Sequence, residues 1–129
     1  MRLLLDSHVL LAITRGQAAS LGQSIVALLD SAEHEKIVST ASLWEIAIKH
    51  RLSKLQLEFP LEELPDYFDS LDYELLNINA RHAIEELSEF PATRDPFDRL
   101  LLAQCQVEGL RLVTLDRALA RHPLAWHTK

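Results

Sequence analysis

The sequence predicts an α/β fold, in which helices cover both faces of a central parallel β-sheet. Short apolar runs alternate along the whole chain with longer segments whose apolar residues recur at helical spacing. The clearest apolar run, residues 112–115, is bounded by charged residues, which is typical of a strand buried on both faces. No internal repeat, low-complexity segment or linker interrupts the alternation, so we expect a single domain over residues 1–129.

The strands are expected at the apolar runs and the helices between them. Strands are predicted over residues 2–6, 36–39, 74–78 and 112–115, with a short edge strand over residues 124–127. Helices are predicted over residues 7–15, 20–33, 40–50, 62–71 with an interruption at Pro65, 80–90 and 96–109, with a helical turn at 117–121 and a loop or short turn at 51–61. The expected boundaries carry capping residues, namely Ser7, Thr40 or Ser42, and Asn77 or Asn79 at N-termini, and Gly16 and Gly109 at C-termini.

Composition sets broad limits on location and partners. Apolar residues make up 48% of the 129 residues, enough for one core, and no run approaches the roughly 20 apolar residues that span a bilayer. The acid at Asp6 comes too early for a signal peptide, and the single cysteine, Cys105, cannot form an intramolecular disulfide. We therefore expect a cytoplasmic protein with no membrane contact. The net charge of −6 argues against nucleic-acid binding through bulk electrostatics, although a bound cation would invert the charge locally.

The segment from residue 94 to residue 116 carries one carboxylate at the start of a predicted helix and another just after a predicted strand. Asp95 and Pro96 form a helix-entry signal, so Asp98 lies in the first turn of the helix. Asp116 directly follows the next predicted strand. Both side chains can therefore point into the crevice at the carboxyl edge of a parallel sheet, where such sheets bind ligands.

Each of these acids also has a purely structural interpretation. Asp6 and Asp116 each follow an apolar strand, and Asp is a preferred helix N-cap, so spacing supports capping and site roles equally. Glu45 lies three residues after Ser42, which is the pattern of a capping box, yet it also lies near the same sheet edge. Asp98 would favour the helix macrodipole in the first turn.

The convergence of four acids at one sheet edge favours a functional site. Packing carboxylates together is costly without a counter-ion, and a hard divalent cation removes that cost. A site with oxygen ligands alone suits Mg²⁺ or Mn²⁺ rather than zinc, and the six histidines show no zinc-site spacing. The chain has no glycine-rich phosphate loop and no G-x-S-x-G elbow, which argues against nucleotide-dependent chemistry and serine hydrolase chemistry.

Three motifs in this order resemble the PIN-domain ribonucleases, and most closely the VapC-like toxins of bacterial toxin–antitoxin pairs. The motifs are LLLDSHVLL, SLWEIAIKHRLSKL and DPFDRLLLAQCQVEGLRLVTLD. The metal-binding acids of the family correspond here to Asp6, Glu45, Asp98 and Asp116, with Asp95 a less certain ligand. Many members carry Asn two residues after the first acid, where this chain has His8.

The resemblance implies an endoribonuclease that requires Mg²⁺ or Mn²⁺, acts as a homodimer and is inhibited by a cognate antitoxin. In such an enzyme the metal would activate a water molecule against an RNA phosphodiester and stabilise charge on the phosphate. Lys49, Arg99 and Arg117 lie near site acids in the sequence and are candidates for phosphate contacts, although each could be a solvated surface charge.

Two other functions are compatible with a parallel sheet that carries acids at its strand ends. A receiver-like signalling domain would need a phospho-acceptor Asp after the third strand, where this chain offers Asn77 or Asn79. A catalytically silent PIN-type domain would serve only as a binding partner, and the presence of all four acids argues against such decay.

Overall fold

The structure, a computed structural model that describes residues 1–127, contains one four-stranded sheet in the order β3-β2-β1-β4. The strands are β1 (Arg2–Leu5), β2 (Glu35–Ser39), β3 (Glu74–Leu76) and β4 (Arg111–Val113). All three pairings are parallel, and Leu4 pairs with Ile37 on one side and with Leu112 on the other. The predicted α/β fold with a parallel sheet is confirmed.

Helices lie along the chain between and after these strands. They are α1 (Ser7–Thr14), α2 (Gln23–Asp30), α3 (Thr40–Arg51), α4 (Leu64–Ser70), α5 (Ala80–Ile84), α6 (Pro96–Glu108) and α7 (Arg117–Ala120), with short 3-10 helices at Ala18–Leu21 and Leu61–Glu63. Within residues 1–127 no helix is both long and apolar enough to cross a membrane.

Both faces of the sheet are buried, because successive residues of β1 point to opposite sides. Leu3 and Leu5 belong to one apolar cluster, while Leu4 belongs to another. The first cluster is completed by α1, α2 and residues of α3 and α4, and the second is built largely from α6 together with Leu110 and Leu119. A strand buried on both sides has no polar face, which explains why the strands read as continuous apolar runs.

Some predicted boundaries were wrong, each for a local reason. The predicted helix over residues 20–33 is divided at Gly22, whose φ of 95° lies in the region that glycine adopts readily, into a 3-10 helix and α2. Pro65 does not interrupt a helix but lies in the first turn of α4, where its missing N–H costs nothing. The loop predicted over residues 51–61 is confirmed for residues 52–60, because α3 ends at Arg51 and a 3-10 helix begins at Leu61.

The second half of the chain is less regular than predicted. The strand predicted over 74–78 ends at Leu76, and the helix predicted over 80–90 ends at Ile84, because the backbone becomes extended at Glu85. Asn79, rather than Asn77, caps that helix by accepting a hydrogen bond from the backbone N–H of His82 at 2.9 Å. The edge strand predicted over 124–127 is reduced to one isolated bridge, between Leu112 and Ala125.

Candidate active site

Asp6 ends β1 and begins α1. Its Oδ1 accepts a hydrogen bond from the backbone N–H of Val9 at 3.0 Å, so Asp6 is the N-cap, and the prediction that Ser7 caps this helix was wrong. The side chain is almost fully buried. Burial raises the pKa of Asp6, and a hydrogen bond from the Thr114 hydroxyl opposes that increase. The carboxylate thus lies between the carboxyl ends of β1 and β4.

Glu45 lies in the second turn of α3 and does not belong to a capping box. Ser39 is the N-cap of α3, because its Oγ accepts a hydrogen bond from the N–H of Ala41 at 3.0 Å. The predictions that Thr40 or Ser42 caps this helix, and that Ser42 and Glu45 form a capping box, were therefore wrong. Ser42 is buried inside the helix, and its hydroxyl has no hydrogen-bond partner among the described residues.

The Glu45 carboxylate is held by two side chains. The Ser7 hydroxyl donates to Oε1, and the Lys49 ammonium lies 2.8 Å from Oε2. Glu45 is 6% exposed, so both contacts occur in a largely water-free environment. Ser7 belongs to α1 and Lys49 to α3, and the contacts therefore connect the first helix of the chain to the carboxylate on the third.

Asp98 carries the clearest electrostatic sign of neighbouring acids. Its pKa is raised to about 6, first by burial and next by the negative charge of Asp95, with smaller contributions from Glu45 and Asp116. The Thr93 hydroxyl, which donates to Asp98 Oδ2 at 3.2 Å, partly opposes the increase. The structure therefore brings Asp95, Glu45 and Asp116 within electrostatic reach of Asp98.

Asp95 and Asp116 both cap helices, which for Asp116 was one of the two interpretations of the sequence. Asp95 Oδ1 accepts from the Phe97 N–H at 2.8 Å, and Asp116 Oδ1 accepts from the Ala118 N–H at 2.8 Å. Each cap uses the Oδ1 atom and leaves Oδ2 for another partner, so capping and a site role are compatible. Asp116 does not follow β4 directly as predicted, because the strand ends at Val113.

Of the three basic residues predicted to contact phosphate, only Lys49 touches a site acid. The Arg99 guanidinium lies 5.8 Å from the centre of the Phe90 ring, in cation–π geometry, and faces solvent. Arg117 is exposed and forms no ion pair among residues 1–127. His8 is exposed as well, and its charge lowers the pKa of Asp6, which places it beside that carboxylate.

Sequence reasoning missed three hydroxyl side chains that contact the acids. Ser7 bonds Glu45, Thr93 bonds Asp98, and Thr114 interacts with Asp6 and also accepts from the Asp116 backbone N–H at 3.0 Å. Their only signal in the sequence is an acid within two residues, and serine and threonine are common near acids at helix starts. Thr93 and Asp98 are five residues apart, whereas the Ser7 contact with Glu45 spans 38 residues, which local spacing does not reveal.

The chemistry of these side chains fits a hard divalent cation. All donors are oxygen atoms, and besides burial the charges of Asp95, Glu45 and Asp116 raise the pKa of Asp98, a repulsion that a cation would compensate. Among residues 1–127, no three acids, histidines or cysteines are close enough together to hold an ion in their present positions. The site is therefore suited to a cation by charge and donor type, although its side chains are not gathered at coordination distance.

Comparisons with known proteins agree with this architecture. The sequence matches the family model of the PIN domain over residues 3–124. No curated protein matches it significantly. Among solved structures, it is similar to a chain described as "Crystal structure of VapBC2 from Rickettsia felis bound to a DNA fragment from their promoter". That match has a TM-score of 0.66 and 18% identity, and covers 97% of this chain and 96% of the other, a likeness that concerns the fold alone.

Proposed function

This chain belongs to the PIN domain family, and from that membership we propose that it is a metal-dependent endoribonuclease that hydrolyses RNA phosphodiester bonds. The observation that carries the proposal is the raised pKa of Asp98, to about 6, which is caused first by burial and then by the nearby charges of Asp95, Glu45 and Asp116. Separate helix caps on a protein surface would not need to repel one another in this way. Perturbed carboxylates that cluster at one edge of a sheet are typical of functional sites.

We propose that Asp6, Glu45, Asp98 and Asp116 hold Mg²⁺ or Mn²⁺. When bound, such an ion lowers the pKa of a coordinated water and stabilises negative charge on the phosphate. The surrounding hydroxyl groups orient the acids, because Ser7 fixes one oxygen of Glu45 and Thr93 contacts Asp98.

The basic residues are proposed to contact the RNA backbone. Arg99 follows Asp98 on α6, and Arg117 follows Asp116 as the first residue of α7. Both are exposed, so their guanidinium groups are available to phosphate. Lys49 is a third candidate, but in the structure its ammonium is engaged by Glu45.

We also propose that the protein is the toxin of a toxin–antitoxin pair that acts on RNA in the cytoplasm. The solved structure to which it is similar is a VapBC2 complex, which supports a protein antitoxin as the partner. A groove beside α3 gives such a partner a place to bind. It is lined by the half-buried Leu43 and Ala47, the exposed Trp44 and the 3-10 helix at Leu61–Glu63.

The protein is expected to form a homodimer. Trp44 and Leu52, on and beside α3, are 57% and 59% exposed and offer apolar side chains for such an interface. Leu55 and Leu57, from the same region, pack against the core instead and do not add to this surface. Light scattering across micromolar concentrations should give the mass of a dimer, and a monomer at every concentration would contradict the prediction.

PIN-family membership excludes the receiver-like alternative and leaves the catalytically silent domain as the rival. We expect the purified protein with Mg²⁺ or Mn²⁺ to cut single-stranded RNA and to leave DNA of the same sequence intact. Electrophoresis of end-labelled strands measures both reactions, and Asp98→Asn prepared in parallel controls for contaminating ribonucleases. Cleavage that is equal in wild type and Asp98→Asn, or absent from both across varied RNA, would favour the silent domain.

A further inference from the structure

Lys49 forms the one ion pair that engages a proposed metal ligand in the described part of the chain. Its ammonium lies 2.8 Å from Glu45 Oε2, one helical turn away on α3. The hydrogen bond to Glu45 raises the pKa of Lys49 against the opposing effect of burial, and the charges of Glu45, Asp95 and Asp98 raise it further. The ammonium therefore lies in the field of several site acids and acts as their local counter-ion.

This pair differs from an ordinary surface pair between residues four apart on a helix. Such pairs are usually exposed on both sides and contribute little to stability. Here the Glu45 side chain is 8% exposed and the Lys49 side chain 39% exposed. Bulk water therefore has little access to the Glu45 carboxylate and cannot replace the ammonium as its partner. The Lys49 ammonium, in contrast, can move into solvent along its exposed side.

The two oxygens of Glu45 are both occupied in this arrangement. Ser7 holds Oε1 through a neutral hydroxyl, which can remain in place when the carboxylate binds a cation. Lys49 holds Oε2 with a full positive charge, which would repel a divalent cation at the same oxygen. The ammonium and a divalent cation would repel each other at Oε2, so the two compete for that oxygen.

We propose that Lys49 is a positioning residue that substitutes for the metal ion at Glu45 and competes with it. The inference rests on the proposed metal-dependent function. In the metal-free protein the ammonium, 2.8 Å from Oε2, holds the buried carboxylate in position. Metal binding displaces the ammonium toward solvent at the mouth of the site, so that the apparent metal affinity is lower than the affinity of the acids alone.

The size of the effect follows from the population of the ion pair. If only the unpaired state binds metal, the apparent dissociation constant increases by the reciprocal of the unpaired fraction. A pair formed about 70–90% of the time would weaken metal binding about three- to tenfold. Removing the ammonium should therefore strengthen metal binding by the same factor.

The test compares Lys49→Met with the wild type by calorimetric titration with Mg²⁺ and with Mn²⁺. Lys54→Met is the matched control, because Lys54 is exposed just after the same helix and forms no ion pair in residues 1–127. We expect Lys49→Met to bind the metal about three- to tenfold more tightly and to show a larger metal-induced increase in melting temperature. Lys54→Met should bind as the wild type does.

A second measurement uses the wild-type protein and does not depend on how the variant folds. The ammonium resonance of Lys49 in nitrogen-15 NMR should be visible without metal, because the pair slows exchange with water, and should disappear on saturation with Mg²⁺. Unchanged or weaker metal affinity in Lys49→Met, or a Lys49 resonance that persists at saturating Mg²⁺, would overturn the inference while leaving the nuclease proposal intact. A wild-type protein that binds neither metal would overturn both.

Discussion

Replacing Asp98 with asparagine should reduce RNA cleavage by at least about 100-fold, more than is typical for loss of a residue that only supports a metal ligand. The same change should leave the metal-free protein at least as stable as the wild type. Asn keeps the shape of the side chain and an oxygen that can accept from Thr93, but removes a charge that Asp95, Glu45 and Asp116 repel. Loss of function without loss of stability is the signature of a residue retained for its chemistry.

The stability effect of this substitution should depend on pH in a defined direction. The pKa of Asp98 is raised from 3.8 to about 6 in the folded protein, so the folded state binds a proton more tightly than the unfolded chain. Stability therefore decreases as pH rises from about 4 through about 6, and Asp98→Asn should remove this loss. The side chain is half-buried, and with solvent screening the gain is about 1 kcal/mol at neutral pH and above.

Thermal unfolding of wild type and Asp98→Asn between about pH 4 and pH 8, a range that extends on both sides of the folded-state pKa of about 6, measures the difference in the absence of metal. Asp69→Asn makes the same chemical change at an exposed position of α4 and serves as the control. The difference between wild type and Asp98→Asn should vanish at the acid end and grow toward neutral pH. Unaltered cleavage by Asp98→Asn, or a stability deficit that is constant with pH, would show that this acid serves only the helix.

Chelation of divalent cations should abolish cleavage and lower the melting temperature of the metal-loaded protein. A metal that binds the folded state alone stabilises it by about 2.7 kcal/mol at 100 times its dissociation constant. The effect is large because the bound ion removes the repulsion among the carboxylates around Asp98.

Differential scanning fluorimetry with EDTA, and then with excess Mg²⁺ or Mn²⁺, follows the stability change, and an RNA cleavage assay on the same samples follows activity. Asp98→Asn is the control, since its melting temperature should respond much less to metal. Cleavage that persists after thorough chelation would rule out the proposed chemistry, whatever the melting temperatures show.

Most of the fold was predictable from local patterns. The boundaries of α6 were anticipated because three local signals agree there, namely the Asp95–Pro96 entry, the apolar spacing and the left-handed Gly109 cap with φ of 71°. The helix predicted over residues 80–90 failed because its second half lacks such agreement. After Ile84 the chain forms an irregular segment. The His122 imidazole contacts the Glu89 carbonyl of this segment at 2.9 Å.

The site was predictable in its acids but not in their contacts. The order of strands and helices was enough to direct Asp6, Glu45 and Asp98 to one sheet edge. Their roles as ligands remain predictions. The N-cap of α3 was missed because the side chains of Ser39, Thr40 and Ser42 can all cap a helix. Ser39 is the cap because β2 ends at this residue and α3 begins at the next. The contact between Ser7 and Glu45 joins residues 38 positions apart, which no local rule reaches.

The position of β1 in the sheet has a consequence for the order in which the molecule is assembled. β1 is made first but lies between β2 and β4, and β4 is among the last elements in the described chain. During synthesis one edge of this strand, apolar after Arg2, stays unpaired until residues 111–113 leave the ribosome. Asp116 and the Thr114 partner of Asp6 arrive at the same late stage. A nascent chain therefore lacks a complete acidic cluster, and such long-range pairing slows folding.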